Sequence, residues 1–187
     1  MNFNKHYNLK SHAFLSPSGY SWTNYDDEAL INRYNNALAA QKGTELHAIA
    51  QGMIENRIKA ANHKRALNMF VNDAIGFGMA SEVVLYYSEH CFGTADAIDY
   101  NPETKFLRIH DLKTGITKVK MTQLEVYTAL FCLEYGVRPQ DITIELRIYQ
   151  GSEIYVHTPE IDDIHSIMEK IVHFSKVLDT HIEDIVN

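Results

Sequence analysis

Two strand-like segments joined by a short turn constrain the fold of this 187-residue chain more than any other feature. Residues 93–100 and 106–114 are rich in apolar and β-branched side chains, and residues 101–105 (NPETK) have the composition of a turn. Facing residues in an antiparallel hairpin have numbers with a constant sum. This turn therefore places Asp96 directly opposite Asp111, with about 5 Å between the two Cβ atoms.

The same register pairs Asp99 with Arg108 on the other face of the hairpin, where the two form an ordinary ion pair. Asp111 shares its face with the apolar side chains of Leu107 and Ile109, so we expect it to be partly buried. Two facing carboxylates repel each other, and burial raises the pKa of both unless a cation lies between them. Carboxylate and water oxygens suit Mg²⁺ or Mn²⁺, so the hairpin predicts a metal site.

Lys113 lies two residues beyond Asp111 and therefore on the same face of the strand. Its ammonium group can orient or deprotonate an attacking water molecule, and it can stabilise the charge that develops on a phosphate. An Asp-x-Lys sequence on a strand is more often a solvated ion pair. The register match to Asp96 is what favours a catalytic centre formed by Asp96, Asp111 and Lys113.

The hydrophobic pattern predicts an α/β fold in which a small mixed β-sheet is flanked by helices. The predicted helices are residues 26–40, 45–72, 118–135 and a segment after Pro159; the predicted strands are residues 81–87, 93–100, 106–114, 142–150 and 153–158. Gly43-Thr44 is interpreted as the break between the first two helices, with Thr44 as an N-cap. We interpret residues 1–187 as one domain, with an N-terminal loop and helix (1–42), a catalytic core (43–158) and a C-terminal helix (159–187).

The composition excludes several classes of protein. Hydrophobic residues make up 45% and charged residues 22% of the chain, which is typical of a globular protein and argues against disorder. Since no apolar run approaches the roughly 20 residues of a membrane helix, we expect no association with a membrane. The first residues lack the apolar segment of a signal peptide, so we expect a cytoplasmic protein.

Two further counts limit the chemistry. Cys91 and Cys132 are too few for a four-thiolate zinc site or an iron–sulfur cluster. The net charge of -7 is unfavourable for DNA binding, because phosphate contacts need lysine and arginine. A basic groove on an acidic protein would permit DNA binding despite this net charge.

Four short motifs in this chain resemble those of the RecB-like nucleases of the PD-(D/E)XK superfamily, in the same order and with similar spacing. They are Gly43–His47 (GTELH, similar to G-x-x-x-H), Gly93–Asp96 (GTAD, similar to G-x-x-D), Asp111–Gly115 (DLKTG, similar to D-x-K-T-G) and Gln123–Tyr127 (QLEVY, similar to Q-x-x-x-Y). Together they span a little under half of the chain. The resemblance implies a restriction-endonuclease-like core.

The resemblance also implies a role for each matched residue. Asp96 and Asp111 would be metal ligands, and the backbone carbonyl of Leu112 would be a further ligand. His47 would bind the metal or hold a water molecule beside it. Lys113 would be the catalytic lysine.

Five more residues would support this centre. Gln123 and Tyr127 lie one helical turn apart on one face and would position the lysine or contact the DNA strand. Glu82 would assist from the neighbouring strand. Lys118 and Lys120 follow the catalytic strand and are candidates for phosphate contacts.

The implied activity is Mg²⁺- or Mn²⁺-dependent hydrolysis of DNA, most similar to that of cluster-free phage exonucleases. A homo-oligomer and a recombination partner protein are both compatible with this interpretation, as is the cytoplasm of a bacterial host cell. A structure-specific or single-strand endonuclease is the second interpretation. A nucleic-acid-binding or protein-interaction module without catalysis is the third, and the acidic net charge supports it.

Overall fold

The computed structural model describes residues 13–116 and 118–186 of the chain. The helices in this part of the chain are α1 (Asp27–Glu55), α2 (Ala66–Phe77), α3 (Thr122–Tyr135) and α4 (Ile161–Val186), and the strands are β1 (Ala80–Ser88), β2 (Cys91–Asn101), β3 (Phe106–Lys113), β4 (Thr143–Gln150) and β5 (Glu153–His157). None of the helices within these residues has an apolar stretch long enough to cross a bilayer.

The five strands form one mixed sheet in the order β1-β2-β3-β4-β5. Strands β3 and β4 are parallel and the other neighbours are antiparallel. Helix α3 makes the crossover that a parallel connection requires. Helices α3 and α4 pack on one face of the sheet, and α2 with the end of α1 packs on the other. The predicted α/β class, with a small mixed sheet flanked by helices, is confirmed.

Strand β3 is central because it carries apolar side chains on both of its faces. Leu107 and Ile109 are fully buried on the α3 side, and Leu112 is buried on the α2 side. Burial of each such side chain stabilises the fold by about 1.5–3 kcal/mol. The site residues of β3 are therefore held on a strand that is buried on both faces.

Contacts divide the chain into two compact units, with the boundary between Lys42 and Gly43. The N-terminal unit contains a 3-10 helix, Pro17–Asn24, and the beginning of α1. Asp26 caps the N-terminus of α1, because its Oδ1 accepts a hydrogen bond of 2.8 Å from the backbone N–H of Ala29. The second unit contains the sheet and the remaining helices.

The predicted helix break at Gly43-Thr44 is wrong. Helix α1 runs through both residues. Gly43 instead permits a close approach, since a Cβ atom there would lie 3.0 Å from Thr114 Oγ1. The chain leaves the helix later, at residues 56–65, where Arg57 adopts a left-handed conformation with φ 54°. The predicted helix over residues 45–72 is therefore two helices.

The third predicted helix is present, but its predicted first residue is wrong. It starts at Thr122 rather than at residue 118, so Lys118 and Lys120 lie in the loop before it. Gly136 ends this helix in the left-handed conformation, with φ 65°.

Candidate active site

The predicted register of the central hairpin is confirmed. Asp99 faces Arg108, and Arg108 Nη1 lies 3.8 Å from Asp99 Oδ2. The paired region ends with Ala97 opposite His110. One residue further along, the same register brings Asp96 to Asp111.

The pairing of backbones is interrupted at Asp96, which the sequence analysis did not foresee. The backbone N–H of Leu112 donates a hydrogen bond of 2.8 Å to the carboxylate Oδ2 of Asp96. Ala95 packs on the α3 side of the sheet whereas Ala97 packs on the α2 side, so the alternation of faces breaks between them. The side chain of Asp96 thus takes the place of a backbone acceptor. This hydrogen bond holds the Asp96 carboxylate against the end of β3.

Three acidic residues form a row across three adjacent strands. The registers of β1 with β2 and of β2 with β3 align Glu82, Asp96 and Asp111. Glu82 has φ 51°, a left-handed conformation that is unfavourable for a residue with a side chain. Backbone strain of this kind is retained where neighbouring structure enforces it, often at functional sites. We call these three residues the acidic row.

His47 reaches the acidic row from α1. Its Nδ1 lies 3.4 Å from Asp96 Oδ1. His47, Glu82 and Asp96 can each offer one ligand atom, and these atoms all lie within 4.8 Å of one another. Asp96 raises the pKa of His47, against the opposing effect of burial. Burial raises the pKa of Glu82, and the charge of Asp96 adds to this effect.

Asp111 is the most buried member of the acidic row, with 3% of its surface exposed. Burial and then the charge of Asp96 raise its pKa, while Lys113 opposes them. Lys113 Nζ donates a hydrogen bond of 3.2 Å to Asp111 Oδ1; it also lies 3.0 Å from Oδ2, but without hydrogen-bond geometry. Among the described residues Oδ2 has no hydrogen-bond partner. An unmet buried carboxylate oxygen beside other carboxylates fits the donor set of a divalent cation.

The carbonyl of Leu112 lies on the same edge of β3 as this carboxylate group. The N–H and C=O of one strand residue point to the same side of the strand. Since the N–H of Leu112 points to Asp96, its carbonyl also faces the acidic row. The expectation that this carbonyl binds a metal stays a prediction.

A chain of hydrogen bonds joins Lys113 to α3. Lys113 Nζ donates to Gln123 Oε1 at 2.7 Å, and Gln123 Nε2 donates to the Tyr127 hydroxyl at 3.3 Å. A Cβ atom at Gly93 would lie 3.0 Å from Cε1 of Tyr127, so the tyrosine ring needs a glycine opposite it. The ammonium group is thus oriented from two sides, by Asp111 and by Gln123.

Lys118 and Lys120 are exposed on the loop between β3 and α3. They line one surface depression together with Lys113 and Gln123. The predicted phosphate-contacting lysines therefore lie beside the predicted catalytic lysine. Their positive charge offsets the acidic row on this side of the molecule.

A second polar cluster, partly buried, was missed by the sequence analysis. It lies on the α2 face of β3 and β4 and consists of Asp73, Arg108, His110, Glu145, Arg147 and Tyr149. Tyr149 donates to Asp73 Oδ2 at 2.7 Å, and His110 Nδ1 lies 3.2 Å from the Tyr149 hydroxyl. Burial, with smaller effects of Arg147 and Arg108, lowers the pKa of His110 to about 3. We call this group the α2-face cluster.

A signal for the α2-face cluster was present in the sequence. Charged residues alternate in both segments that form its strands, and the parallel register pairs Arg108 with Glu145 and His110 with Arg147. His110 is fully buried and hydrogen-bonded to Tyr149.

All four motif segments meet at the acidic row. Gly43 packs against Thr114, His47 lies beside Asp96, and the lysine of the third motif bonds to the glutamine of the fourth. Neither a scan against protein-family models nor a search of curated proteins finds a match to this chain.

Proposed function

We propose that this chain is a metal-dependent DNA nuclease with Asp96, Asp111 and Lys113 at its catalytic centre. The observation that carries the proposal is the acidic row: three carboxylates on adjacent strands, one of them almost fully buried, with Lys113 Nζ as the one ammonium group beside them among the described residues. A fold stabilises such a group poorly by itself, because like charges repel and burial disfavours the charged form. A cation bound between the carboxylates removes both penalties.

The residues suited to hold Mg²⁺ or Mn²⁺ are His47, Glu82 and Asp96, whose ligand atoms lie within 4.8 Å of one another. Asp111 and the Leu112 carbonyl are the further ligands that we propose beside them. Carboxylate and carbonyl oxygens predominate in this set, which favours these ions over softer metals. When bound, a divalent cation polarises a phosphoryl oxygen and makes a water molecule a stronger nucleophile at neutral pH.

Lys113 supplies positive charge where a phosphodiester would react. Its ammonium group is fixed by Asp111 and by Gln123, so little reorganisation is needed when charge develops on the phosphate. Tyr127 supports Gln123 through the hydroxyl contact. Lys118 and Lys120 bind backbone phosphates of the strand, which position DNA without reading its sequence.

We extend the proposal to an exonuclease that hydrolyses linear DNA in phage-type recombination or DNA processing, in the cytoplasm of a bacterial host. The fold would then be restriction-endonuclease-like and would need no iron–sulfur cluster. Assembly into a homo-oligomer or with a recombination partner is compatible with this activity. The net charge of -7 favours one rival, a binding module without catalysis.

The test is cleavage of end-labelled linear duplex DNA, single-stranded DNA and closed circular DNA in Mg²⁺, Mn²⁺ or EDTA. Wild type is compared with Asp111→Ala. Asp99→Ala is the matched control, because it removes an aspartate of the same hairpin that pairs with Arg108 instead.

We expect metal-dependent loss of linear DNA with wild type and with Asp99→Ala, and none with Asp111→Ala. Cleavage of circular DNA as well would favour the endonuclease. DNA binding that is equal in Mg²⁺ and EDTA, without cleavage of any substrate, would contradict the nuclease and favour the binding module.

A further inference from the structure

The N-terminal unit contains a cavity that the proposed active site does not use. Its volume is about 460 Å³, within the range of roughly 300–1,000 Å³ typical of small-ligand sites. Three aromatic side chains line it, Phe14, Trp22 and Tyr25, together with the polar side chains of Arg33 and Asn36. Planar rings and a cation in one cavity suit a ligand that is both planar and anionic.

The aromatic walls are held in place by specific contacts. Trp22 Nε1 donates a hydrogen bond of 3.0 Å to the backbone carbonyl of Ser16. Phe14 packs edge-to-face against Tyr34, with ring centroids 5.1 Å apart and an interplanar angle of 85°. Rings fixed in this way lose little conformational entropy when a ligand stacks on them.

Arg33 provides an unused cation in this cavity. Within residues 13–116 and 118–186, its guanidinium forms no ion pair and no side-chain hydrogen bond. A guanidinium has five N–H donors and matches the oxygens of a phosphate. The N–H donors of the Arg33 guanidinium could therefore bind a phosphate.

We propose that this cavity binds one unpaired nucleotide of a DNA strand. The base stacks on the aromatic walls, and Arg33 binds the adjoining phosphate. Aromatic stacking combined with an arginine is the usual means of binding single strands without sequence preference. The choice of DNA as the ligand rests on the proposed nuclease function; the cavity itself would accept any nucleotide.

The experiment measures binding of a fluorescein-labelled oligothymidine to the full chain by fluorescence anisotropy in EDTA, where no metal-dependent cleavage occurs. The variants are Arg33→Ala, Trp22→Leu and Trp22→Phe. Arg138→Ala is the matched control, because it removes an exposed arginine of the other unit that pairs only with Asp141 in the described structure. An abasic oligonucleotide of equal length separates stacking from charge, and thymidine monophosphate serves as a competitor.

We expect Arg33→Ala and Trp22→Leu each to weaken oligothymidine binding by roughly five- to hundredfold. Trp22→Phe retains a ring and should recover most of the affinity. Arg138→Ala should stay within about twofold of wild type. The abasic strand should bind wild type more weakly and should not respond to Trp22→Leu.

Three results would overturn the proposal: no binding by wild type, equal effects of Arg33→Ala and Arg138→Ala, or equal binding of the abasic strand. Competition by the free mononucleotide as effective as by the oligonucleotide would exclude a DNA strand as the ligand. Because Arg33 is exposed, its variant tests the cavity even if Trp22→Leu fails to fold. If the binding pattern holds and no DNA is ever cut, the nuclease proposal fails and the cavity remains.

Discussion

Strand β3 carries two neighbouring buried polar residues whose surroundings differ in kind. His110 points to the α2 face, is fully buried, and meets the Tyr149 hydroxyl at 3.2 Å. Asp111, the next residue, lies in the acidic row and has one carboxylate oxygen without a hydrogen bond among the described residues. Each residue has one bonded side-chain atom and one buried atom without a hydrogen bond, His110 Nε2 and Asp111 Oδ2 respectively. The two residues differ in the charges that surround them.

The charges around His110 are balanced. In the α2-face cluster, Arg147 contacts Asp73 at 3.2 Å and Glu145 at 3.0 Å, and Arg108 Nε lies 3.3 Å from Glu145. Some of these atoms, including Arg108 Nε and Glu145 Oε1, lack hydrogen-bond geometry, yet each is within reach of an opposite charge. Opposite charges therefore alternate throughout this cluster.

The acidic row has no such balance among the residues that the structure describes. Three carboxylates face one lysine and a histidine. A buried group whose charges are compensated serves the fold, whereas an uncompensated one marks a place for a ligand. The two faces of β3 therefore differ in charge balance, and the proposed metal centre lies on the face where the charges are not balanced.

Replacement of Lys113 should have the largest effect on the chemical side. We expect Lys113→Ala to lower the cleavage rate by about 10²–10⁴-fold and to leave metal binding largely intact, because Lys113 is not a ligand. Single-turnover cleavage at saturating Mg²⁺ measures the cleavage rate, with Lys176→Ala on α4 as the control. An unchanged rate would remove Lys113 from the mechanism.

Replacement of Tyr149 tests whether the α2-face cluster stabilises the fold. Tyr149→Phe deletes the hydroxyl that bonds Asp73 and His110 and leaves the fully buried His110 Nδ1 without this partner. The free energy of unfolding should fall by about 1–3 kcal/mol, measured by urea denaturation against the exposed control Tyr135→Phe. A change below about 0.5 kcal/mol would mean that the α2-face cluster does not stabilise the fold.

Removal of the Asp111 charge should stabilise the metal-free protein. Burial and Asp96 raise the pKa of Asp111, so the folded state holds the proton more tightly than the unfolded state. The stability of wild type therefore falls as the pH rises from the ordinary value of 3.8 through the raised pKa, and it stays lower above it.

In EDTA at pH 7, Asp111→Asn should be more stable than wild type by roughly 0.5–1 kcal/mol, and this difference should disappear below pH 3.8. Thermal melting at several pH values measures both. Saturating Mg²⁺ should reverse the order by stabilising wild type alone. A less stable Asn variant in EDTA would show that the Lys113 ion pair outweighs the repulsion.

The smallest effect is expected at Asp99, on the compensated side. Its partner Arg108 keeps the contact with Glu145 when Asp99 is lost. Asp99→Asn should therefore change stability by less than about 1 kcal/mol and leave cleavage within about twofold of wild type. Loss of cleavage in this variant, with activity retained in Asp96→Asn, would place the chemistry on the opposite face of the hairpin.

The comparison also explains what the sequence could predict. The register of the central hairpin followed from the turn and the strand lengths, because antiparallel pairing is local in the chain. The contact of Lys113 with Asp111 followed from the period of a strand, and that of Gln123 with Tyr127 from the period of a helix. Each of these features depends on residues close together in the sequence.

The features that were missed depend on distant contacts. Gly43 was taken for a helix break because its packing against Thr114 could not be seen locally. The interruption at Asp96 arises from a side chain replacing a backbone acceptor of another strand. The α2-face cluster joins α2 to β3 and β4, so its pairing required the assembled sheet.

Calorimetric titration of Mn²⁺ into metal-free wild type and Asp96→Asn tests the central claim most directly. Asp96 is the middle member of the acidic row. Its replacement by Asn removes the negative charge that lies between Asp111 on one side and His47 and Glu82 on the other. We predict saturable binding to wild type and an affinity at least about tenfold lower, or about 1.4 kcal/mol weaker, in the variant. No saturable binding to wild type, or equal affinity of the two proteins, would contradict the assignment of the acidic row as a metal centre.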